Sequence, residues 1–388
     1  MISLNLYNSA DGELNSVSFK DKASIYTCGI TPYDSSHLGH IATFLYFDIL
    51  VRFLQHNNID VTLVRNVTDL DDPLFERVRK TGESLEELID KNVKQLDSDL
   101  EQLGCVAPTY EPYSSEYVEK IIQSINLLIA KGFAYTVDGW TYFDSSKRES
   151  FPELNILKSM EKDYLLSLAH ERGADENDPR IKNSFDFVLW KPSLEDEPSY
   201  GASFGNGRPG WHIECSVMAM DLLGPTIDIH GGGDDLIFPH HACEVAQSET
   251  LSGEPFVKHF MHVAPVAYEG TKMSKSLGNL VYAKDVIVQI GPRCTRLMLL
   301  AHHYREGFEH HDEDIARSQE RCSGWGEVMG DYEGEATPGE VYSQVFKCIQ
   351  NDLDTPGALA AIDDAVANYT GDDRQRADIK AAEELLGL

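Results

Sequence analysis

The sequence predicts an α/β protein: a Rossmann-type nucleotide domain in two halves, with an inserted domain between them and a helical bundle after them. Three observations predict it. A strand, helix, strand succession runs from Ser24 to Val67. Two short motifs, His37-Leu38-Gly39-His40 and Lys272-Met273-Ser274-Lys275-Ser276, stand about one such domain apart. Beyond about Val281 the chain turns helical.

Ser24 to Ile30 is an apolar run of strand length, and Ile41 to Leu54 is so apolar that it reads as a buried helix. Asp60 to Val67 supplies a second strand, and the order implies a right-handed parallel crossover with a ligand site at the strands' carboxyl ends. From Cys105 to about Asn206 the character changes. A helix from about Ser115 carries Val118, Ile121, Ile122 and Ile125 on one face and stops at Gly132. A hairpin follows, then a charged stretch from Glu171 to Asp178. The nucleotide domain resumes near Gly210, with strands at Thr226 to His230 and His259 to Val266 and a helix from Pro239 to Leu251 between them. A linker at Gly334 to Gly339 precedes a last helical segment with a stripe of Leu359, Ile362 and Val366. The expected divisions are 1–104, 105–206, 207–280 and 281–388.

With 388 residues, 42% hydrophobic and 25% charged, the chain has the composition of a folded multidomain protein and not of a disordered one. No apolar run approaches the ~18–20 residues that span a bilayer, and Met1 to Asn5 lacks the start of a signal peptide, so a cytoplasmic protein without membrane contact is expected. Seven scattered cysteines, an odd number, suit reduced thiols or metal ligands better than a disulfide framework. A net charge of −31 argues against a polyanionic partner such as RNA, although a solubility adaptation accounts for it equally well.

Read together, the two motifs point to activation of a carboxylate by ATP, with cleavage at the α-phosphate to give an acyl-adenylate and pyrophosphate. His37 and His40 stand at a helix start, where imidazole N–H groups and unpaired backbone amides converge on phosphate. Gly39 permits close approach; for this motif alone, two capping histidines are the plainer reading. Lys272 and Lys275 lie in a loop between Gly270 and Gly278 that brings two ammonium groups to the leaving pyrophosphate. Gly231 to Gly233, with Asp234 and Asp235, offer backbone for adenine and a carboxylate for ribose. Cys28, Cys215, His240 and Glu244 suit Zn²⁺, the last two spaced four apart as on one helix face. Buried thiols and an unrelated histidine fit the same spacing.

The stretch from Cys28 to Asp34 with HLGH, Asn66-Val67-Thr68-Asp69, GWHIECS from Gly210, DIHGGGDDLIFPHH from Asp228 and KMSKSLGN from Lys272 together resemble the cysteinyl-tRNA synthetase family of class I synthetases, over almost the whole chain. The resemblance implies a class I synthetase Rossmann-type fold. It implies a zinc ion at Cys28, Cys215, His240 and Glu244 that binds the substrate cysteine through its thiolate, with Trp211 closing the site. It also implies that Cys28, Gly29, Ile30, Thr31, Thr43, Asn66, Val67, Thr68, Gly233, Asp234 and Asp235 line the cysteinyl-adenylate, with Val266 near adenine. Within the family the wording is closer to the cysteine ligases of mycothiol biosynthesis, which join cysteine to glucosaminyl-inositol. The chain has GITPYD for GPTVYD, His40 for Asn, ERGAD from Glu171, and DLDTP from Asp352. It stops at Leu388, where the synthetases continue into a basic anticodon-binding segment. Glu244 matches the synthetase's fourth zinc ligand, whereas Ala242 and Cys243 match neither pattern well.

The expectation is therefore a monomeric ligase that takes L-cysteine, ATP with Mg²⁺ and a sugar-inositol amine, and releases an amide, AMP and pyrophosphate. A short synthetase charging tRNA is the alternative. A non-catalytic cysteine- or nucleotide-binding paralogue is disfavoured by the intact motifs. Asp34, Asp69 and Glu214 all remain open as the base for the second step.

Overall fold

The computed structural model describes residues 1–152, 154–273, 278–330 and 332–388, so Ser274, Lys275 and Ser276 lie outside the described residues. Four parallel strands form the central sheet: β1 (Lys22–Ile30), β2 (Asp60–Val67), β3 (Ile227–Gly233) and β4 (Val257–Val263), in the order β4-β3-β1-β2. Helix α1 (Leu38–His56) connects β1 to β2, α2 (Trp211–Leu223) precedes β3, and α3 (Ala242–Ser252) connects β3 to β4. The order reverses between β1 and β3, so the chain leaves their carboxyl ends in opposite directions and a crevice opens there.

Both faces of the sheet are covered, which is why its strands are apolar without alternation. Ile25, Ile229 and Met261 pack on the α1 side, in the core that continues into the C-terminal helices. Tyr26, Cys28 and Phe260 face the other way, onto Cys215 and Met218 of α2 and Ala242 of α3.

Several boundaries differ from expectation for physical reasons. Strand β3 runs through Gly233, beyond His230, because glycines fit where β3 and β4 lie close: a Cβ on Gly231 would stand 1.6 Å from the Met261 carbonyl oxygen. Helix α3 begins at Ala242, after Pro239. Phe238, preceding proline, is forced extended (φ −140°, ψ 135°), and residues Ile237–His241 form a wide turn. Strand β4 ends at Val263. Val266 belongs to a separate short strand, Val266–Tyr268, flanked by Thr271–Lys272 and Phe308–Glu309.

An N-terminal hairpin, Ile2–Asn8 with Glu13–Phe19, was not anticipated; Ser9 N ties it to the Phe260 carbonyl at 3.1 Å, and Leu4 and Leu6 turn inward. In the inserted segment, helix Val118–Ala130 buries Val118, Ile121, Ile125 and Leu128 but leaves Ile122 partly exposed. Four short antiparallel strands follow, Ala134–Val137, Trp140–Phe143, Phe187–Lys191 and Arg208–Pro209. Their core, with Phe143 and Leu189, reaches Ile213 and Val217 of α2 and Cys243 and Ala246 of α3. The insertion therefore braces the helices that carry half of the site described below. In the C-terminal helices Leu359 and Ile362 are fully buried and Val366 is partly so. Among the described residues no helix is long and apolar enough to cross a membrane.

Candidate active site

The crevice is built first from backbone. β1 is irregular between Thr27 and Ile30. Gly29 N donates to Asn66 Oδ1 at 3.0 Å, Asn66 Nδ2 donates to Thr68 Oγ1 at 3.1 Å, and Thr68 N donates to the Ile30 carbonyl at 3.0 Å. The segments 28–31 and 66–68 are thus stitched together, with Val67 buried between them. Only glycine fits at 29, since a Cβ there would fall 1.5 Å from the Asn66 carbonyl oxygen. Gly29→Ala should part β1 from β2 at this edge and cost about 1–3 kcal/mol, the usual scale of overpacking; an unchanged urea midpoint would show that the edge can yield. Thr31 Oγ1 donates to Asp71 Oδ2 at 3.3 Å, and Thr43 Oγ1 donates to the Gly39 carbonyl at 3.1 Å.

His37 caps α1, its Nδ1 accepting from Gly39 N at 3.1 Å, and its ring stacks on His40 with centroids 3.8 Å apart. The two imidazoles and the helix's first amides therefore share one mouth, an arrangement suited to phosphate. Across the crevice, Gly233 ends β3 and Asp234 and Asp235 open a short turn. Asp235 Oδ2 pairs with Arg172 Nη2, from the inserted segment. No spacing in the sequence flagged Arg172 as a site residue. Val266 is buried, and its carbonyl accepts from Met273 N at 3.4 Å. The Lys272 backbone pairs with Ala267 in the strand leading to the second motif, whose Lys275 lies outside the described residues.

At the floor, Cys28, His240, His241 and Glu244 each offer a ligand atom within 4.8 Å of the others, and all four are buried. Cys28 Sγ is 3.4 Å from His241 Nε2, 3.7 Å from Glu244 Oε1 and 3.9 Å from Cys215 Sγ. The structure brings together Cys28, His240 and Glu244 of the expected set and adds His241; Cys215 falls outside this group, its sulfur 3.9 Å from that of Cys28. Helical i, i+4 spacing picked out His240 alone; because this stretch is a wide turn, both adjacent imidazoles point inward. Trp211 stacks on His240 with centroids 4.1 Å apart.

Electrostatics keep the cluster charged despite its burial. Burial raises the Glu244 carboxyl, but His230 and His240 outweigh it and hold the group near about 2. Burial lowers His240, yet Glu244 and Cys215 lift it to about 10. The hydrogen bond from Cys28 brings Cys215 down to about 6 against burial, whereas burial and Cys215 push the Cys28 thiol well up. Outer partners orient the ring atoms: His230 Nε2 lies 3.1 Å from Glu244 Oε2, His262 Nε2 2.6 Å from His241 Nδ1, and His212 Nδ1 2.9 Å from His240 Nδ1.

This donor set fits a borderline-soft cation. His240 Nε2 is buried and 2.9 Å from Glu244 Oε1, but outside hydrogen-bond geometry. The 3.4 and 3.7 Å separations of Cys28 Sγ from its neighbours match the edge of roughly 3.3–3.8 Å that zinc–ligand bonds of about 2.0–2.3 Å make in a tetrahedron. Of the three carboxylates considered as base, Glu214 is buried, accepts from Ser114 Oγ at 2.7 Å and is raised well above the usual range by burial. Asp69 accepts from Ser115 N at 2.8 Å and is also raised by burial, and Asp34 accepts from Ser35 N at 3.0 Å.

Comparison with known proteins shows the family. Residues 15–320 match the family model described as tRNA synthetases class I (C) catalytic domain. The chain is 38% identical over 361 residues to the L-cysteine:1D-myo-inositol 2-amino-2-deoxy-alpha-D-glucopyranoside ligase of Streptosporangium roseum, covering 93% of this chain and 88% of the relative. The ligase of the same name from Mycolicibacterium gilvum is 38% identical over 377 residues, covering 96% of this chain and 85% of that one. Among solved structures, Mycobacterium tuberculosis methionyl-tRNA synthetase in complex with methionyl-adenylate is similar in fold, with a TM-score of 0.66 at 14% identity over 95% of this chain and 90% of that one.

Proposed function

The chain belongs to the class I (C) tRNA synthetase catalytic-domain family, and from that premise we propose that it ligates L-cysteine, through a cysteinyl-adenylate, to the amine of glucosaminyl-inositol. The observation that carries this reading is a buried thiol, imidazole and carboxylate cluster on the floor of a nucleotide crevice. In this reading the metal is zinc, held by Cys28, Cys215, His240 and Glu244 with His241 adjacent. When bound it supplies a soft Lewis acid that retains a substrate sulfur as thiolate. A serine hydroxyl stays protonated and ligates poorly, so one contact separates the two amino acids.

The chain's own residues then do the rest. Gly29, Ile30, Thr31, Asn66, Val67 and Thr68 form the wall beside the cluster, placing the substrate carboxylate toward the mouth where His37 and His40 meet the triphosphate, accompanied by Mg²⁺. Gly233 and Asp235 hold the ribose side, with Asp234 next to them; Thr43 and Val266 line the nucleotide, and Lys272 and Lys275 meet the leaving pyrophosphate. Attack on the α-phosphorus gives the adenylate, and the acceptor amine displaces AMP to form an amide. Asp34, Asp69 and Glu214 are the candidates to take the amine's proton. We further place the protein in the cytoplasm as a monomer, with 1–104 and 207–280 as the halves of the catalytic domain, 105–206 inserted, and 281–388 as the helical stem and bundle.

The test supplies purified protein with ATP, L-cysteine and either glucosaminyl-inositol or cysteine-specific tRNA. The expected product is the cysteinylated aminosugar. Cysteinyl-tRNA instead would reassign the acceptor, and a lack of cysteine-dependent ATP–pyrophosphate exchange would remove the adenylate step altogether.

A further inference from the structure

We propose that Arg172 is a positioning residue for the nucleotide, acting through Asp235 on the ribose. This rests on the reading of Asp235 as the ribose-binding carboxylate. Helix Lys162–Glu171 is anchored by Leu165 and Ala169, buried in the core that also holds Phe238 and Ala242 on either side of the turn bearing His240. The helix therefore delivers Arg172, the next residue, to a defined place at the end of β3. There its Nη2 pairs with Asp235 Oδ2.

The two side chains are 36% and 33% exposed. An ion pair that borders solvent adds little to folding stability, so its consequence is local. Asp235 Oδ1 folds back over Gly233, where a Cβ would stand 2.6 Å from it. With one oxygen held by a guanidinium and the other lodged against the backbone, the carboxylate is confined to one orientation. A carboxylate's two oxygens suit the vicinal diol of a ribose, and each can accept more than one hydrogen bond.

Charge favours the same role. Asp234 and Asp235 are adjacent in a chain of net charge −31, and an incoming triphosphate would be repelled by them. Arg172 offsets one of these charges where repulsion matters most.

Calorimetric titration of the full-length protein with ATP and with 2′,3′-dideoxy-ATP tests this without requiring turnover. Arg172→Ala should weaken ATP binding about tenfold, the scale of one lost charge-assisted interaction, and weaken binding of the dideoxy nucleotide, which keeps the triphosphate but lacks the diol, distinctly less. Arg172→Lys, which keeps the charge without the fork, should fall between. In an Asp235→Asn background the Arg172→Ala change should add nothing. Equal losses for both nucleotides, undiminished ATP affinity in Arg172→Ala, or no ATP binding by the unaltered protein would each overturn the proposal. Failure of the ligase reading shows separately, as ATP binding without cysteine-dependent exchange.

Discussion

Cys28→Ala is expected to yield a folded protein that no longer retains zinc and no longer exchanges pyrophosphate into ATP in response to cysteine. Cys28 is the hub of the proposed centre: its sulfur lies 3.4 Å from His241 Nε2 and approaches Glu244 and Cys215 as well. Removing it takes away a strong soft donor and the hydrogen bond that keeps Cys215 low, so the affinity of the remaining donors falls in two ways. The fold should survive, because His240 and His230 remain to compensate the buried Glu244 carboxylate. Metal analysis after chelator challenge, with circular dichroism on the same sample, separates the two effects. Stoichiometric zinc retained by Cys28→Ala would remove this cysteine from the ligand set.

Asp48→Ala should be the most destabilising single change in the nucleotide domain. Asp48 lies in the middle of α1, buried among Phe47, Ile49 and Leu50. It accepts from Arg52 Nε at 2.9 Å, from Val106 N at 2.7 Å and from Arg296 Nη2. Arg296 is itself 1% exposed and donates to the carbonyls of Leu386 at 2.8 Å and Leu103 at 2.9 Å. One carboxylate thus ties the nucleotide helix, the start of the insertion and the C-terminal helices together. Removing it strands a buried guanidinium, which costs about 3–5 kcal/mol. Urea unfolding measures this, and a loss below about 1 kcal/mol would mean that Arg296 finds another partner or water. Adding Arg296→Met should restore much of the loss, because the penalty belongs to the unpaired charge and not to the missing contact.

These two sites also differ in how legible they were. The ligand types Cys28, Cys215, His240 and Glu244 stood out in the chain because thiol, imidazole and carboxylate are few and chemically distinctive. His241 did not, since helical spacing was applied where Pro239 in fact breaks the helix. Asp48 and Arg296 were invisible: one polar residue in an apolar helix reads as an interruption, and its partner is 248 positions away. Arg172 stood within the ERGAD wording, but its partner Asp235 is 63 positions away and no spacing joined the two. Leu4 and Leu6 alternate as a strand should, but seven residues are too short a run to announce a hairpin by themselves.

What the sequence determined by itself was local. Apolar runs of strand and helix length set the strand, helix, strand order, and proline and glycine set where elements stop, because each depends on neighbours within a few residues. Tertiary structure alone decided which side chains meet. Thiols 187 positions apart lie 3.9 Å from each other, and Arg172 of the inserted segment reaches Asp235 at the end of β3, because packing across a twisted sheet and its covering helices sets those distances and no periodicity along the chain encodes them.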